Sequence, residues 1–263
     1  MEQKKTKVLM CPPMYFRVDY SINPWMTEKL VNVTKAVSQW NRLYRMVKST
    51  NTDIDIIAPH RELPDIVFTG NAGIVHNNKV VLSNFKHFQR QREKDMFQEW
   101  FEYQGYEVHE LPPGLYFEGR GDCLVVGDEL LAGYGFRSDY RALEITAKIL
   151  DLKLNAHELA DERFYHLDTC LTILDKEKKT GFYYEKALPN FNDDSYSLYP
   201  VTDEDALAFC CNSIVKGNDI IIPTGASENI INYLVNNDYN VYQVEMSEFK
   251  KSGGACQCLV LEI

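Results

Sequence analysis

Hydrophobic positions along this chain alternate between two patterns. Short runs rich in β-branched residues, at 8–11, 54–58, 66–68, 80–82, 123–126, 171–174, 220–222 and 258–263, have the length and composition of buried strands. Between them lie longer stretches with apolar residues at helical spacing. Residues 27–47 carry Leu30, Val33, Val37 and Trp40 on one such stripe, and 89–103 and 139–150 read the same way. Shorter helices are predicted over 203–211 and 227–235, the second with Ser227 as N-cap after Pro223 and Gly225. Strands and helices interleave throughout, which predicts an α/β fold rather than segregated layers. The pattern alone suggests a doubly wound sheet. No Gly/Ser-rich or Pro-rich linker interrupts the chain, so 1–263 reads as a single domain. The most irregular stretch, 188–200, is long enough for a surface loop or lid.

Charge narrows the partners. The 263 residues carry a formal charge of -10, which repels phosphate backbones and anionic lipid and favours a small cation as ligand. Nucleic acid and membrane surfaces are therefore not expected as partners. The polar start of the chain and the short apolar run behind it do not read as a signal peptide, and no stretch approaches the roughly 20 apolar residues of a membrane span. Seven cysteines without a CxxC pair argue against a zinc ribbon. The expectation is a reduced, cytoplasmic protein with free thiols.

Four segments carry candidate chemistry. Gly253-Gly254-Ala255-Cys256-Gln257-Cys258 places thiols after a side-chain-free approach and before an apolar run. A thiol attacks as thiolate and needs a nearby base or cation. A buried strand cysteine is the commoner reading of such a residue. In an extended segment Cys256 and Cys258 share a face, so spacing leaves both open. His166-Leu167-Asp168 sets a proton shuttle beside a carboxylate, or is simply a surface histidine next to a turn. Phe117-Glu118-Gly119-Arg120-Gly121-Asp122 reads as a constrained turn projecting two acids, suited to a planar guanidinium or to solvent. Pro64-Asp65-Ile66-Val67-Phe68-Thr69-Gly70-Asn71 adds an acid and an amide around a short strand.

As an ordered set, PDxxFxxN, FExxxD, GxxxR, HxD and GGxxxC resemble the guanidine-modifying superfamily of arginine deiminases, dimethylarginine dimethylaminohydrolases, arginine dihydrolases and amidinotransferases. The likeness runs from Cys11-Pro12-Pro13 to the terminal cysteine. It implies a five-bladed α/β propeller of ββαβ units. It also implies Cys258 as nucleophile and His166 as general acid/base, with Glu118 and Asp168 as guanidinium-binding carboxylates and Asp65 near the substrate head. Arg137, with Arg90 as a weaker match, would hold a substrate carboxylate, and Asn23 would line the pocket. The resemblance implies no cofactor and no metal, and leaves room for a homo-oligomer. Two departures stand out: the acids of FExxxD are one residue further apart than is usual, leaving Asp122 without an assigned role, and Asn71 stands where deiminases and dimethylaminohydrolases carry aspartate. An amide can hold a guanidino or a neutral ureido group, whereas a buried carboxylate without a cation is costly. The expected reaction is hydrolysis of arginine through a covalent amidino-thioether to citrulline, ornithine or both, with ammonia. Dimethylarginine hydrolysis, amidino transfer and a non-catalytic arginine sensor are the alternatives.

Overall fold

A computed structural model describes residues 6–27 and 30–263. In chain order the elements are β1 (Lys7–Met10), α1 (Val33–Ser49), β2 (Asp53–Ile56), β3 (Gly73–His76), β4 (Lys79–Leu82), α2 (Phe88–Gln91), α3 (Glu93–Tyr103) and β5 (Glu107–His109). There follow β6 (Cys123–Val126), β7 (Glu129–Tyr134), α4 (Tyr140–Leu150), β8 (Lys153–Glu158), β9 (Leu171–Asp175), β10 (Thr180–Tyr183) and β11 (Ser197–Pro200). The rest are α5 (Asp203–Leu207), β12 (Ile214–Lys216), β13 (Asp219–Pro223), α6 (Glu228–Asn236), β14 (Asn240–Val244), α7 (Ser247–Lys250) and β15 (Leu261–Glu262).

The expected α/β class holds, as several small mixed sheets rather than one doubly wound sheet. Each of five three-stranded sheets has a central strand paired antiparallel on one side and parallel on the other, as in β3-β4-β5 and β6-β7-β8. In four of the sheets a tight hairpin joins the antiparallel pair, and a parallel neighbour needs a crossover, which α3, α4, α6 and α1 supply. In the sheet β15-β1-β2 the pairing joins opposite ends of the chain, Val8 opposite Glu262 and Leu9 opposite Leu261. The crossover helices bury one face. Phe97 and Phe101 of α3 pack with Val80, Leu82 and Leu9, while Ala142, Leu143 and Leu150 of α4 pack with Leu130 and Ala132. Each fully buried large apolar side chain contributes about 1.5–3 kcal/mol.

Several expectations are corrected. The helix predicted from residue 27 starts at Val33, because the Asn32 side chain caps it by accepting from the Lys35 N–H at 3.0 Å. Residues 28 and 29 of that prediction lie outside the described residues. Leu30 falls before the helix and is exposed, and the buried stripe is Ala36, Gln39, Trp40, Leu43 and Val47. The 89–103 helix divides at Arg92 into α2 and α3. The apolar run 66–68 is not a strand: Ile66 and Val67 end a buried 3-10 turn, Pro64–Val67, with proline at its start, and Phe68 links it to the turn Thr69–Asn71. Of 258–263 only Leu261–Glu262 is strand, so the premise of an extended backbone at Cys256 and Cys258 fails; Cys258 sits in the turn Gln257–Leu259. The helix expected over 203–211 ends at Leu207, and Phe209 adopts φ +62° just beyond it. In the irregular 188–200 stretch, Ser197–Pro200 is strand β11, paired parallel to β10. The link between β10 and β11 contains no helix; Phe191 fills the place, stacked on His157 at 4.3 Å and edge-on to Tyr196.

Candidate active site

Each sheet's antiparallel pair is preceded by a short turn, and most of the candidate site residues lie on or beside these turns. Thr69–Asn71 leads into β3, Gly119–Gly121 into β6, Leu167–Thr169 into β9, residues 209–213 into β12 and Gln257–Leu259 into β15. They pack closely enough to require glycine. A Cβ on Gly121 would strike the Asn71 amide and come within 3.2 Å of the His166 ring. At Gly254 a Cβ would lie 2.6 Å from the Phe68 ring and 3.2 Å from the Cys258 Cβ. The glycine pair therefore lets the polypeptide fold against its own aromatic wall.

Asn23, Asp65, Asn71, Arg90, Arg137, His166 and Cys258 all line one narrow cavity of about 10 Å³. Glu118 and Asp168 are buried in contact with its lining. A larger open cavity of about 400 Å³ lies near the hairpin turns, bordered by Arg120, Lys176 and Glu262, and contains none of the nine predicted site residues. Convergent reactive side chains, rather than volume, identify the smaller cavity as the candidate site.

On one wall Glu118 accepts from Arg137 Nη1 at 3.0 and 3.3 Å and lies 2.9 Å from His166 Nε2. Burial alone would raise its pKa, but Arg137 and His166 outweigh it and hold the carboxyl well below the usual range. Burial lowers His166 to about 4 against the pull of Glu118. The imidazole is thus neutral at pH 7. An ionised carboxylate only accepts, so Nε2 carries the ring proton and Nδ1 is the basic nitrogen. Arg137 also donates to the Ile22 carbonyl at 2.8 Å and lies 4.3 Å from the Tyr165 ring centre. In this structure the expected carboxylate clamp is paired with Glu118.

On the other wall Cys258 Sγ lies 3.6 and 3.8 Å from the Asp168 carboxylate oxygens and 3.1 Å from Asn212 Nδ2. Burial, then Asp168, pushes the thiol well above its ordinary pKa. Burial raises Asp168 to about 7, with Arg120, the thiol and Asn212 acting in the opposite direction. Cys256 is buried in the core, does not line the cavity, and is pushed by burial up to about 12. The geometry separates two cysteines that sequence spacing could not.

Between the walls, Asn71 Oδ1 accepts from Arg90 Nη1 at 3.0 Å. That fixes the amide orientation and leaves Nδ2, buried and without a partner, as a free donor. Arg90 also donates to Glu93 at 3.0 and 2.8 Å and to the Asp65 carbonyl, so its guanidinium is engaged by the protein. Asp65 accepts from the Tyr20 hydroxyl at 2.7 Å and the Ser252 hydroxyl at 3.2 Å; burial raises its pKa. Asn23 donates to Tyr165 and to the Ser252 carbonyl. Asp122 turns away from the cavity, accepting from the Ser138 hydroxyl at 2.6 Å and the Leu167 N–H at 3.3 Å. It ties the Glu118 turn to the His166 turn. Among the described residues no cluster of three or more His, Cys, Asp or Glu could hold a metal, and no helix is long and apolar enough to cross a membrane.

Sequence reasoning missed Tyr165, Ser252 and Asn212. Tyr165 and Ser252 adjoin His166 and the glycine pair, and that adjacency was a usable signal. Asn212, in Cys210-Cys211-Asn212-Ser213, had none beyond its place just after a predicted helix.

The family described as N,N dimethylarginine dimethylhydrolase, eukaryotic, matches residues 17–263. The chain is 40% identical over 272 residues to the bifunctional arginine dihydrolase/ornithine cyclodeaminase AgrE of Nostoc sp., covering 98% of this chain but 38% of that protein. It is 36% identical over 260 residues to the N(G),N(G)-dimethylarginine dimethylaminohydrolase of Mycobacterium tuberculosis, covering 97% of this chain and 84% of that one. Among solved structures, the product-bound N-terminal domain of ArgZ, a cyanobacterial arginine dihydrolase, superposes with a TM-score of 0.94 at 38% identity, covering 98% of this chain and 97% of that domain.

Proposed function

The chain belongs to the dimethylarginine dimethylaminohydrolase family, and from that premise we propose that it is a cysteine-dependent hydrolase that converts arginine through citrulline to ornithine. The observation that carries the reading is the convergence of Cys258, His166 and Asn71 on one cavity, with Glu118 and Asp168 directly behind it. In this reading residues 1–263 form one catalytic unit and the five sheets are blades of a five-bladed α/β propeller, a reading supported by their repeated connectivity. Seven unpaired thiols suit a reducing, cytoplasmic setting.

Asp168 and Glu118 hold the substrate guanidinium beside Cys258, which supplies proximity and orientation. The cation offsets the carboxylate that disfavours the thiolate, so binding itself promotes loss of the thiol proton to His166. Cys258 Sγ bonds to the guanidino carbon, His166 gives the proton to the departing ammonia, and an amidino-thioether remains. His166 then takes a proton from water, whose oxygen bonds to the same carbon as the C–S bond breaks, giving citrulline. Repetition on the ureido group gives ornithine, carbon dioxide and ammonia. Because Arg90 orients the Asn71 amide, its free Nδ2 is a donor suited to the ureido oxygen. That favours the dihydrolase over dimethylarginine hydrolysis, the principal alternative within the family. The arginine dihydrolase relatives AgrE and ArgZ support the same choice.

The test is incubation with arginine, citrulline and dimethylarginine, with products identified by mass. Ornithine from both arginine and citrulline is expected. Arrest at citrulline removes the second step, and turnover of dimethylarginine alone moves the chain to the alternative.

A further inference from the structure

Four of the five turns that lead into the sheets supply a group used in the reaction above: Asn71, Glu118, the His166/Asp168 pair and Cys258. The fifth, residues 209–213, supplies Asn212, which is fully buried. Its Oδ1 accepts from the Ala255 N–H at 3.1 Å and the Cys258 N–H at 3.2 Å. Its Nδ2 donates to the Asp168 carbonyl at 3.1 Å and to the Cys258 sulfur at 3.1 Å. Its own backbone carbonyl accepts from the Gln257 N–H at 3.2 Å. Two backbone donors demand an oxygen on one side of the amide, so the side facing the sulfur must be NH₂.

We propose that Asn212 is a positioning residue for the nucleophile: one buried amide that joins the cysteine turn to the Asp168 turn, aims the Cys258 sulfur and sustains its anionic form. The inference rests on the reading of Cys258 as nucleophile. Hydrogen bonds to a charged group favour that charge, and an N–H aimed at sulfur is worth more to a thiolate than to a thiol. Asp168, at 3.6 Å, opposes it. The other charged and titratable groups around the cavity are His166, Tyr165, Asp65, Arg90 and Arg137, with Glu118 behind them, paired with His166 and Arg137. Among the described residues, Asn212 is the only uncharged side chain with a hydrogen bond to this sulfur.

The experiment is iodoacetamide alkylation of the full chain across pH, quantified at Cys258 by peptide mass, for wild type, Asn212→Asp and Asn212→Ala. Asn212→Asp keeps the shape and the acceptor for both N–H groups but replaces the donor at sulfur with a second oxygen. Its alkylation midpoint should rise by about one pH unit or more, a tenfold change in thiolate fraction. Its kcat should fall about tenfold at neutral pH and recover partly at higher pH, while KM for arginine moves less than about threefold. Asn212→Ala should move the midpoint in the same direction. Unshifted midpoints in both variants, with wild-type turnover still lost on alkylation of Cys258, overturn this role alone. Wild-type turnover that survives alkylation of Cys258 overturns the catalytic reading and this one with it. If neither variant folds, as read by circular dichroism, the amide is a structural tie and the proposal fails.

Discussion

Glu118 and Asp168 are both almost wholly buried, yet their surroundings move them in opposite directions. Glu118 faces a guanidinium and an imidazole, and its charge is matched within the protein. Asp168 is raised to about 7 by burial, with the Cys258 sulfur beside it, the Arg120 charge only partly offsetting the burial, and no ion pair among the described residues. A cation entering the cavity therefore gains less at Glu118, where Arg137 is already in place, than at Asp168. The missing charge lies beside the sulfur, where a bound cation would also favour the thiolate.

Of the substitutions at these two acids, Glu118→Gln should have the greatest consequence. Arg137 would remain buried without its carboxylate, a loss that costs about 3–5 kcal/mol for buried pairs. His166 would lose its partner, and turnover should fall by about 10³-fold. A chemical melt and a kcat measurement on the same sample check both effects; a melt that does not move would show that Glu118 is not committed to Arg137. Asp168→Asn should cost about 10²-fold in kcat/KM for arginine while lowering the alkylation midpoint of Cys258, since the carboxylate that disfavours the thiolate is gone. A fall in activity without that downward shift would count against the charge deficit.

The two acids should also differ in how they respond to pH. Glu118 has a depressed folded pKa, so its contribution is present above the ordinary glutamate value and is lost as pH falls through the folded one. Asp168 has a raised folded pKa, so its contribution is present below about 3.8 and lost as pH rises through about 7. Asp168→Asn should consequently gain stability relative to wild type between pH 4 and pH 8, measured as the difference in urea midpoint; a constant difference would contradict the assignment. The smallest expected effect is at Asn71. Asn71→Asp should slow citrulline hydrolysis about tenfold more than arginine hydrolysis, read from the citrulline-to-ornithine ratio over time, because the free donor becomes an acceptor. Equal slowing would remove the argument from Asn71.

Periodicity found α4 and α6 almost to the residue because both have clear apolar stripes, and Ser227 does cap α6 by accepting from the Ile230 N–H. It missed second and third strands such as β7 and β8, whose sequences are less uniformly apolar. The segments of the candidate site were visible as motifs, but their backbone was misread at 66–68 and 258–263. A short buried apolar run fits a strand or a turn equally well, and only tertiary packing decides. Asn212 was hidden for a different reason. Its importance comes from five hydrogen-bonded contacts to residues distant in sequence, and an asparagine in a turn looks like any other.

The sheet β15-β1-β2 ties the candidate site to the opposite end of the chain. The sulfur is placed by a turn whose following strand is held by residues 8 and 9, so the longest-range strand pairing among the described residues is also the one that holds the Cys258 turn. Pairing the two ends carries a larger loop-closure entropy than any local pairing, and such non-local contacts form late in folding. During refolding from denaturant, helix content should return well before turnover does, and recovered activity should report the docking of the first strand.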